Sequence, residues 1–126
     1  MNLVDVEVVT AGGGCSVRGE GGWSCTLSAL NAAKVGKARS AKVVLGARHS
    51  TIALHREAVA DGIPGRIYTV EPTGDVTYAH VELGATTLVV SVAPSFAARP
   101  DEPVWIVFDQ DRLHLFDGET QQALAA

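Results

Sequence analysis

The apolar residues of this chain come in short runs rich in valine, isoleucine and threonine. Each run is broken off within a few positions by glycine, proline or a polar turn, and that punctuation leaves little room for helix. Val4, Val6 and Val8 alternate with Asp5 and Glu7, the period-two pattern of a strand with one face on a core. Ala11-Gly12-Gly13-Gly14 turns the chain into Cys15–Arg18, and Gly19, Gly21 and Gly22 turn it again into Trp23–Thr26. The one helical stretch runs from about Ser28, a capping residue, to Val35, with Gly36 as its stop. Strands follow at Ala41–Leu45 and Thr51–Leu54, on either side of Gly46-Ala47-Arg48-His49.

The second half continues the series. Gly65–Glu71, with Pro64 at its start where a missing N–H is tolerated, turns at Pro72-Thr73-Gly74-Asp75 into Val76–Leu83. Gly84-Ala85 leads into Thr86–Val92, and a loop marked by Pro94, Pro100 and Pro103 leads into Val104–Phe108. Leu113–Phe116 follows after the polar turn Asp109–Arg112. Roughly nine or ten short strands at this spacing predict a mostly β barrel or sandwich with one short helix. At 126 residues, 47% hydrophobic and 19% charged, the chain suits one globular domain over residues 1–126, with residues 58–64 as the expected joint between two halves. Gln121–Ala126 has no packing pattern and is expected to fray.

Charge and composition exclude several function classes. The net charge is −4, and the nearest approach to a basic run is Lys34, Lys37, Arg39 and Lys42, read as solvated surface. A nucleic-acid partner is therefore not expected. No segment reaches the roughly 20 apolar residues of a membrane span, and Met1–Asp5 lacks the basic start and apolar core of a signal peptide. Cys15 and Cys25 are expected to be reduced, partly buried thiols.

No catalytic constellation emerges. Gly36-Lys37 matches the end of a phosphate-binding loop, but Asn31 stands at the first glycine and Ala38 at the metal-binding hydroxyl. Gly12-Gly13-Gly14 lacks a following helix to present amides to an anion. His49, His55, His80 and His114 have no zinc spacing, and Asp109 and Asp111 open a calcium loop that His114 and Thr120 fail to complete. There is no G-x-S-x-G elbow. The chain is expected to be no enzyme, to hold no metal or cofactor, and to act through its surface. If Val104, Ile106 and Phe108 point inward, Trp105 points outward, which makes it the leading contact candidate.

Three stretches carry a family resemblance. Phe108-Asp109-Gln110-Asp111-Arg112-Leu113-His114-Leu115-Phe116-Asp117-Gly118-Glu119-Thr120 resembles the terminal F-D-x-x-R-L-H-L-F-D-x-E-T of the regulatory domain that follows the ATPase domain in ABC importers of the maltose and glycerol-3-phosphate class. Glu71-Pro72-Thr73-Gly74-Asp75, with Tyr78 and His80-Val81, is similar to its E-P-x-G-D turn, and Val44–Arg48 to its L-G-I-R-P-E segment. Met1-Asn2 resembles the M-N with which that family enters the domain. His49-Ser50 departs from the family's Pro-Glu, so no role is carried onto that loop.

The resemblance implies a small OB-like barrel of the TOBE (transport-associated) type, or two interleaved barrels. The family-motif residues are Glu71, Pro72, Gly74, Asp75, Arg112, His114 and Phe116. It further implies a non-catalytic regulatory and dimerisation domain, cytoplasmic and peripheral to the inner face of the membrane. Its partners would be a second copy, a parent ATPase domain, permease subunits and a cytoplasmic regulator. ATP and magnesium belong to the ATPase domain, which is absent here; the chain is then an excised fragment or a stand-alone relative, and its Met-Asn start favours the fragment. The imported solute would be a sugar, a glycerol phosphate or similar. The alternative is a ligand-sensing module for an oxyanion or small metabolite, with Thr86, Thr87 and Ser91 as candidate hydroxyls.

Overall fold

The computed structural model describes residues 1–12 and 14–125, so the Gly12–Gly14 turn falls partly outside the described residues. Ten strands and one α-helix are found among them: β1 (Asn2–Ala11), β2 (Gly14–Gly19), β3 (Ser24–Thr26), α1 (Ala29–Val35), β4 (Lys42–Ala47), β5 (Ile52–His55), β6 (Ile63–Pro72), β7 (Thr77–Leu83), β8 (Thr86–Val92), β9 (Pro103–Phe108) and β10 (His114–Asp117). Ser28 caps α1 by accepting the Asn31 N–H on its hydroxyl, and Gly36 ends it. Asn31 and Val35, a turn apart, are the buried stripe.

The strands form two five-stranded sheets, in the orders β10-β4-β1-β2-β3 and β5-β9-β6-β7-β8, with antiparallel pairing throughout. Together they make a curled, OB-like β cradle. Alternation sets the faces. Val4, Val6, Val43, Leu45 and Leu115 turn inward from the first sheet, and Ile67, Val81, Leu88, Val90 and Ile106 from the second. All belong to one buried cluster. Truncating a fully buried member such as Leu45 or Ile106 costs about 2–5 kcal/mol.

The joint expected at residues 58–64 falls between β5 and the start of β6. Those residues link β5 to β6 inside the second sheet. The chain passes between sheets at the 3₁₀ turn His49–Thr51 and returns at Gln110–Arg112. Asp109–Arg112 is therefore a crossing rather than a hairpin turn, because β9 and β10 belong to different sheets. The interleaving arises here, since β10 completes the sheet begun by β1–β4.

The carboxyl end also differs from expectation. Ala123 bridges Phe116, the Leu124 N–H donates to Leu115 O at 2.8 Å, and the Asp117 N–H to Gln122 O at 2.9 Å, so this segment covers the free edge of β10. Leu124 supplies the apolar anchor by packing on the core. Ala126 lies outside the described residues.

Two other sheet edges are closed by carboxamides. The Asn2 side chain pairs with the backbone of Val89 in both directions, donating to its carbonyl and accepting from its N–H, each at 2.8 Å. It mimics a strand residue on the edge of β8 and ties the start of β1 to the second sheet. Gln110 donates from Nε2 to Thr26 O at 3.1 Å, beside β3, and accepts the Ser28 N–H at 2.9 Å. The buried Asn31 donates to both the carbonyl and Oε1 of Gln110.

Candidate interaction surface

Three of the motif stretches meet on adjacent strands of the first sheet. The register aligns Leu3 with Gly46 on β1 and β4, and His114 with Gly46 and Phe116 with Val44 on β10 and β4. Residues that alternate with the buried Leu45 and Leu115 point out, which brings Leu3, Gly46, His114 and Phe116 onto one outer face. Gly46 leaves room for its neighbours there. A Cβ at this position would lie 2.8 Å from Met1 Sδ, 3.1 Å from the Phe116 ring and 3.3 Å from Leu3 Cδ2. The three apolar side chains thus close over the glycine, yet Met1 is 57% and Leu3 61% exposed. His114 stacks on Phe116 with ring centroids 6.4 Å apart.

Asp117, at the end of β10, organises the D-G-E-T stretch. Its carboxylate accepts the N–H groups of Arg39 at 2.9 Å, Glu119 at 2.7 Å and Thr120 at 3.2 Å. These amides, Arg39 first and Glu119 next, hold the carboxyl below its usual range. The fixed geometry pins the turn after β10 to the loop before β4. Asp117 is a positioning group with no reacting partner.

The remaining motif residues lie elsewhere. Glu71 and Pro72 end β6 opposite Tyr78 and Thr77. Thr73 closes the hairpin by donating its N–H and hydroxyl to Val76 O at 2.9 and 2.6 Å, and Gly74, at φ +99°, takes the left-handed turn position before Asp75. Arg112 is exposed, its Nε 3.7 Å from Asp109 Oδ2. The motif residues are therefore spread over two sheets and do not form one site.

Trp105 does face outward, on β9 between His55 of β5 and Pro64 of β6, but it is half-buried. The turn at Val59–Gly62 lies against it: a Cβ on Gly62 would sit 3.1 Å from Trp105 Cβ. Val59 in that turn is 38% exposed. Thr86, Thr87 and Ser91 share β8 without converging. Thr87 opposes Glu82, and the Ser91 hydroxyl donates to His49 O at 3.3 Å. Thr86 lines a cavity of about 180 Å³ with Asp5, Glu20 and Trp23, where two carboxylates repel an anion.

Two other hollows hold groups that are buried or already paired within the chain. The groove between β3 and the Asp109–Gln110 crossing, about 470 Å³, contains Cys25, whose thiol burial pushes up to about 11. That favours the unreactive protonated form. Cys15 and Cys25 are both free. A hollow of about 590 Å³ under Pro94–Glu102 holds Arg56 4.1 Å over the Phe96 ring and 2.5 Å from Glu102. Arg56 is thereby occupied by its own chain. Among the described residues no group of three or more His, Cys, Asp or Glu is placed to hold a metal ion. No helix among them is long and apolar enough to cross a membrane.

Sequence reasoning missed Asn2 as a clamp, the Asn31–Gln110 latch and the bulge at Tyr68. The β6–β7 register slips between Ile67 and Thr69, leaving Tyr68 as the extra residue, 61% exposed.

An OB-type cradle whose motif residues shape a surface rather than a reacting centre defines the class. Residues 42–116 match the TOBE domain, and the chain belongs to that family. Among curated proteins it is similar to the sn-glycerol-3-phosphate import ATP-binding protein UgpC of Escherichia coli, 37% identical over 81 residues, 64% of this chain and 22% of that protein. It is also similar to an ABC transporter ATP-binding protein of Sinorhizobium fredii, y4oS, 32% identical over 71 residues, 56% of this chain and 19% of that protein. The chain thus spans about a fifth of the length of these relatives. Among solved structures, the cytoplasmic molybdate-binding protein ModG in a molybdate-bound form superposes with a TM-score of 0.70 at 14% identity, covering 90% of this chain and 94% of that one. That likeness is one of fold.

Proposed function

We propose that this chain is the non-catalytic regulatory and pairing domain of an ABC importer's ATP-binding subunit, cytoplasmic and held at the membrane through the parent transporter. The reading rests on one observation. Met1, Leu3 and Phe116 gather three strands of motif-bearing sequence into an outward apolar cluster, and Met1 and Leu3 are left more than half exposed. Two copies would associate by a self-complementary contact around this cluster or around Trp105 and Val59. ATP and magnesium would act in a parent ATPase domain. Permease subunits and a cytoplasmic regulator are the further partners, and a sugar, a glycerol phosphate or a related solute is the cargo. Touch at this surface would alter turnover through a coupling energy of about 1–3 kcal/mol.

Sedimentation equilibrium of the chain and of its Leu3→Glu and Trp105→Ala variants tests the pairing. The expected result is a concentration-dependent dimer that one variant abolishes without lowering thermal stability. A strict monomer at millimolar concentration removes the self-pairing component.

A second reading, a sensor of an oxyanion or small metabolite, takes its motive from the ligand in ModG's name. The acidic cavity beside Thr86 weighs against it. Calorimetry against molybdate, sulfate, phosphate and glycerol 3-phosphate decides; saturable binding of any of them would put sensing ahead of pairing.

A further inference from the structure

The charges of this chain are segregated. It has 10 basic and 14 acidic residues, yet residues 21–56 contain Lys34, Lys37, Arg39, Lys42, Arg48 and Arg56 and no acidic residue at all. Four of these cations lie on or just after α1, which precedes the TOBE match at residue 42. The helix presents two faces. Asn31 and Val35 are buried, while Leu30 and Ala33 are exposed, Lys34 is half-buried at the edge between the faces, and Lys37 follows just past the helix end. Leu30 is 53% exposed, and Ala33 and Lys37 are open to solvent.

None of Lys34, Lys37, Arg39 and Lys42 has a carboxylate within ion-pairing distance among the described residues. Lys42 opposes Glu7 across β1 and β4, so it marks the rim of the patch. Asp117 accepts the backbone amides of Arg39, Glu119 and Thr120, and the Arg39 charge also acts on it, so Arg39 stands at the rim as well.

We infer that the outer face of α1, with Leu30 at its centre and Lys34, Lys37 and Arg39 around it, is a docking surface for an acidic protein partner that offers an apolar contact to the leucine. An apolar residue framed by unpaired cations is the arrangement that charge complementarity steers and a hydrophobic contact then holds. A nucleic acid is a poorer occupant. No aromatic residue lies between Leu30 and Lys42 to stack a base. An anionic membrane is poorer too, because a helix of 7 residues with a single exposed leucine buries little in a bilayer interface.

The test is an amide chemical-shift titration of the ¹⁵N-labelled chain with two synthetic helical peptides. One carries glutamate with leucine at i, i+4 spacing, and the other carries glutamate with alanine in place of leucine. The expected result is saturable perturbation confined to residues 29–42 by the leucine peptide, weakening steeply with salt. The alanine peptide, Leu30→Ala and the double variant Lys34→Glu/Lys37→Glu should each weaken binding about tenfold or more. Leu30 and Lys37 are exposed and Lys34 is half-buried, and unchanged spectra elsewhere in the variants verify their fold. Perturbations spread equally over Arg18, Arg66 and Arg99 overturn the inference. Indifference to the leucine, or tighter binding of phosphatidylserine vesicles or a single-stranded oligonucleotide at the same salt, does so as well.

Discussion

Asn2 ties the start of β1 to the second sheet. Its carboxamide makes the two 2.8 Å bonds to Val89 and donates a third, at 3.2 Å, to Ala47 O. Val89 lies on the edge strand of the second sheet, and Ala47 ends the strand from which the chain leaves the first. Each such bond contributes about 1 kcal/mol net, and partial rehydration of the exposed edge recovers some of it, so Asn2→Ala should destabilise by about 2 kcal/mol. For a chain of this length that lowers Tm by about 6–10 °C. Asn2→Asp discriminates further. One oxygen still accepts the Val89 N–H, while the other replaces a donor and faces two carbonyls. The folded state therefore favours the protonated form and raises the pKa of the introduced carboxyl above its unfolded value. Stability tied to a raised pKa is present below the unfolded value and lost as pH rises through the folded one. The Asn2→Asp protein should thus lie much closer to wild type at pH 4 than at pH 7. Urea unfolding at both pH values, with hydrogen exchange at the Val89 amide, provides the readout. A loss below about 0.5 kcal/mol for Asn2→Ala, with Val89 equally protected, refutes the clamp.

Asp117 should make the fold acid-sensitive. Its carboxyl is held below the usual range by backbone amides, so its contribution is present above the unfolded carboxyl value near ~4 and lost as pH falls through the lower folded value. Asp117→Asn should be less stable at pH 7 and flatter in a Tm series from pH 5 down to pH 2.5. The Cys25 thiol, pushed up to about 11 by burial, should react with a disulfide reagent at pH 8 at least about tenfold more slowly than in unfolding urea; equal rates would contradict its burial. Gly84→Ala should cost about 2–4 kcal/mol, because φ is +59° and a Cβ would lie 2.3 Å from Glu20 O; urea unfolding measures it. A chain lacking residues 1–41 should fail to give a cooperative melt, since it loses β1–β3, α1 and the Asn2 clamp together.

Strand identities were legible because alternation and glycine punctuation are local signals. Thr77–Leu83 repeats buried and half-buried residues without a break, and the capped helix falls where Ser28 and Gly36 bracket it. The sheet partners were not legible. Nothing around Asp109 says whether the turn folds β10 back on β9 or carries it to β4, because that choice depends on Leu115 meeting Leu45 across some seventy residues of chain. Gln121–Leu124 was misread for a related reason. Its packing comes from one leucine and backbone bonds to β10, which leave no periodic trace. Trp105 was placed on the correct face by alternation, but the cover from Val59–Gly62 comes from a loop. Phe116 and His114 stood out as motif residues, yet their joining with Leu3 and Met1 needed the register around Gly46.

The matched span at residues 42–116 contains the whole second sheet but, of the first, only β4 and most of β10. Those two cannot close a core alone, because Val43, Leu45 and Leu115 would lose the inner face that β1 and β2 supply. The residues before the match are therefore structural partners of it, and Asn2 makes the dependence explicit by reaching from β1 across to Val89 on β8. That same stretch carries the charge segregation and the exposed Leu30. Its inner side chains are bound by the need to complete a shared cradle, while the outer face of α1 is free to vary with whatever it meets. Selection for a partner would act on the exposed Leu30 and Lys37 while leaving the buried Asn31 and Val35 in place.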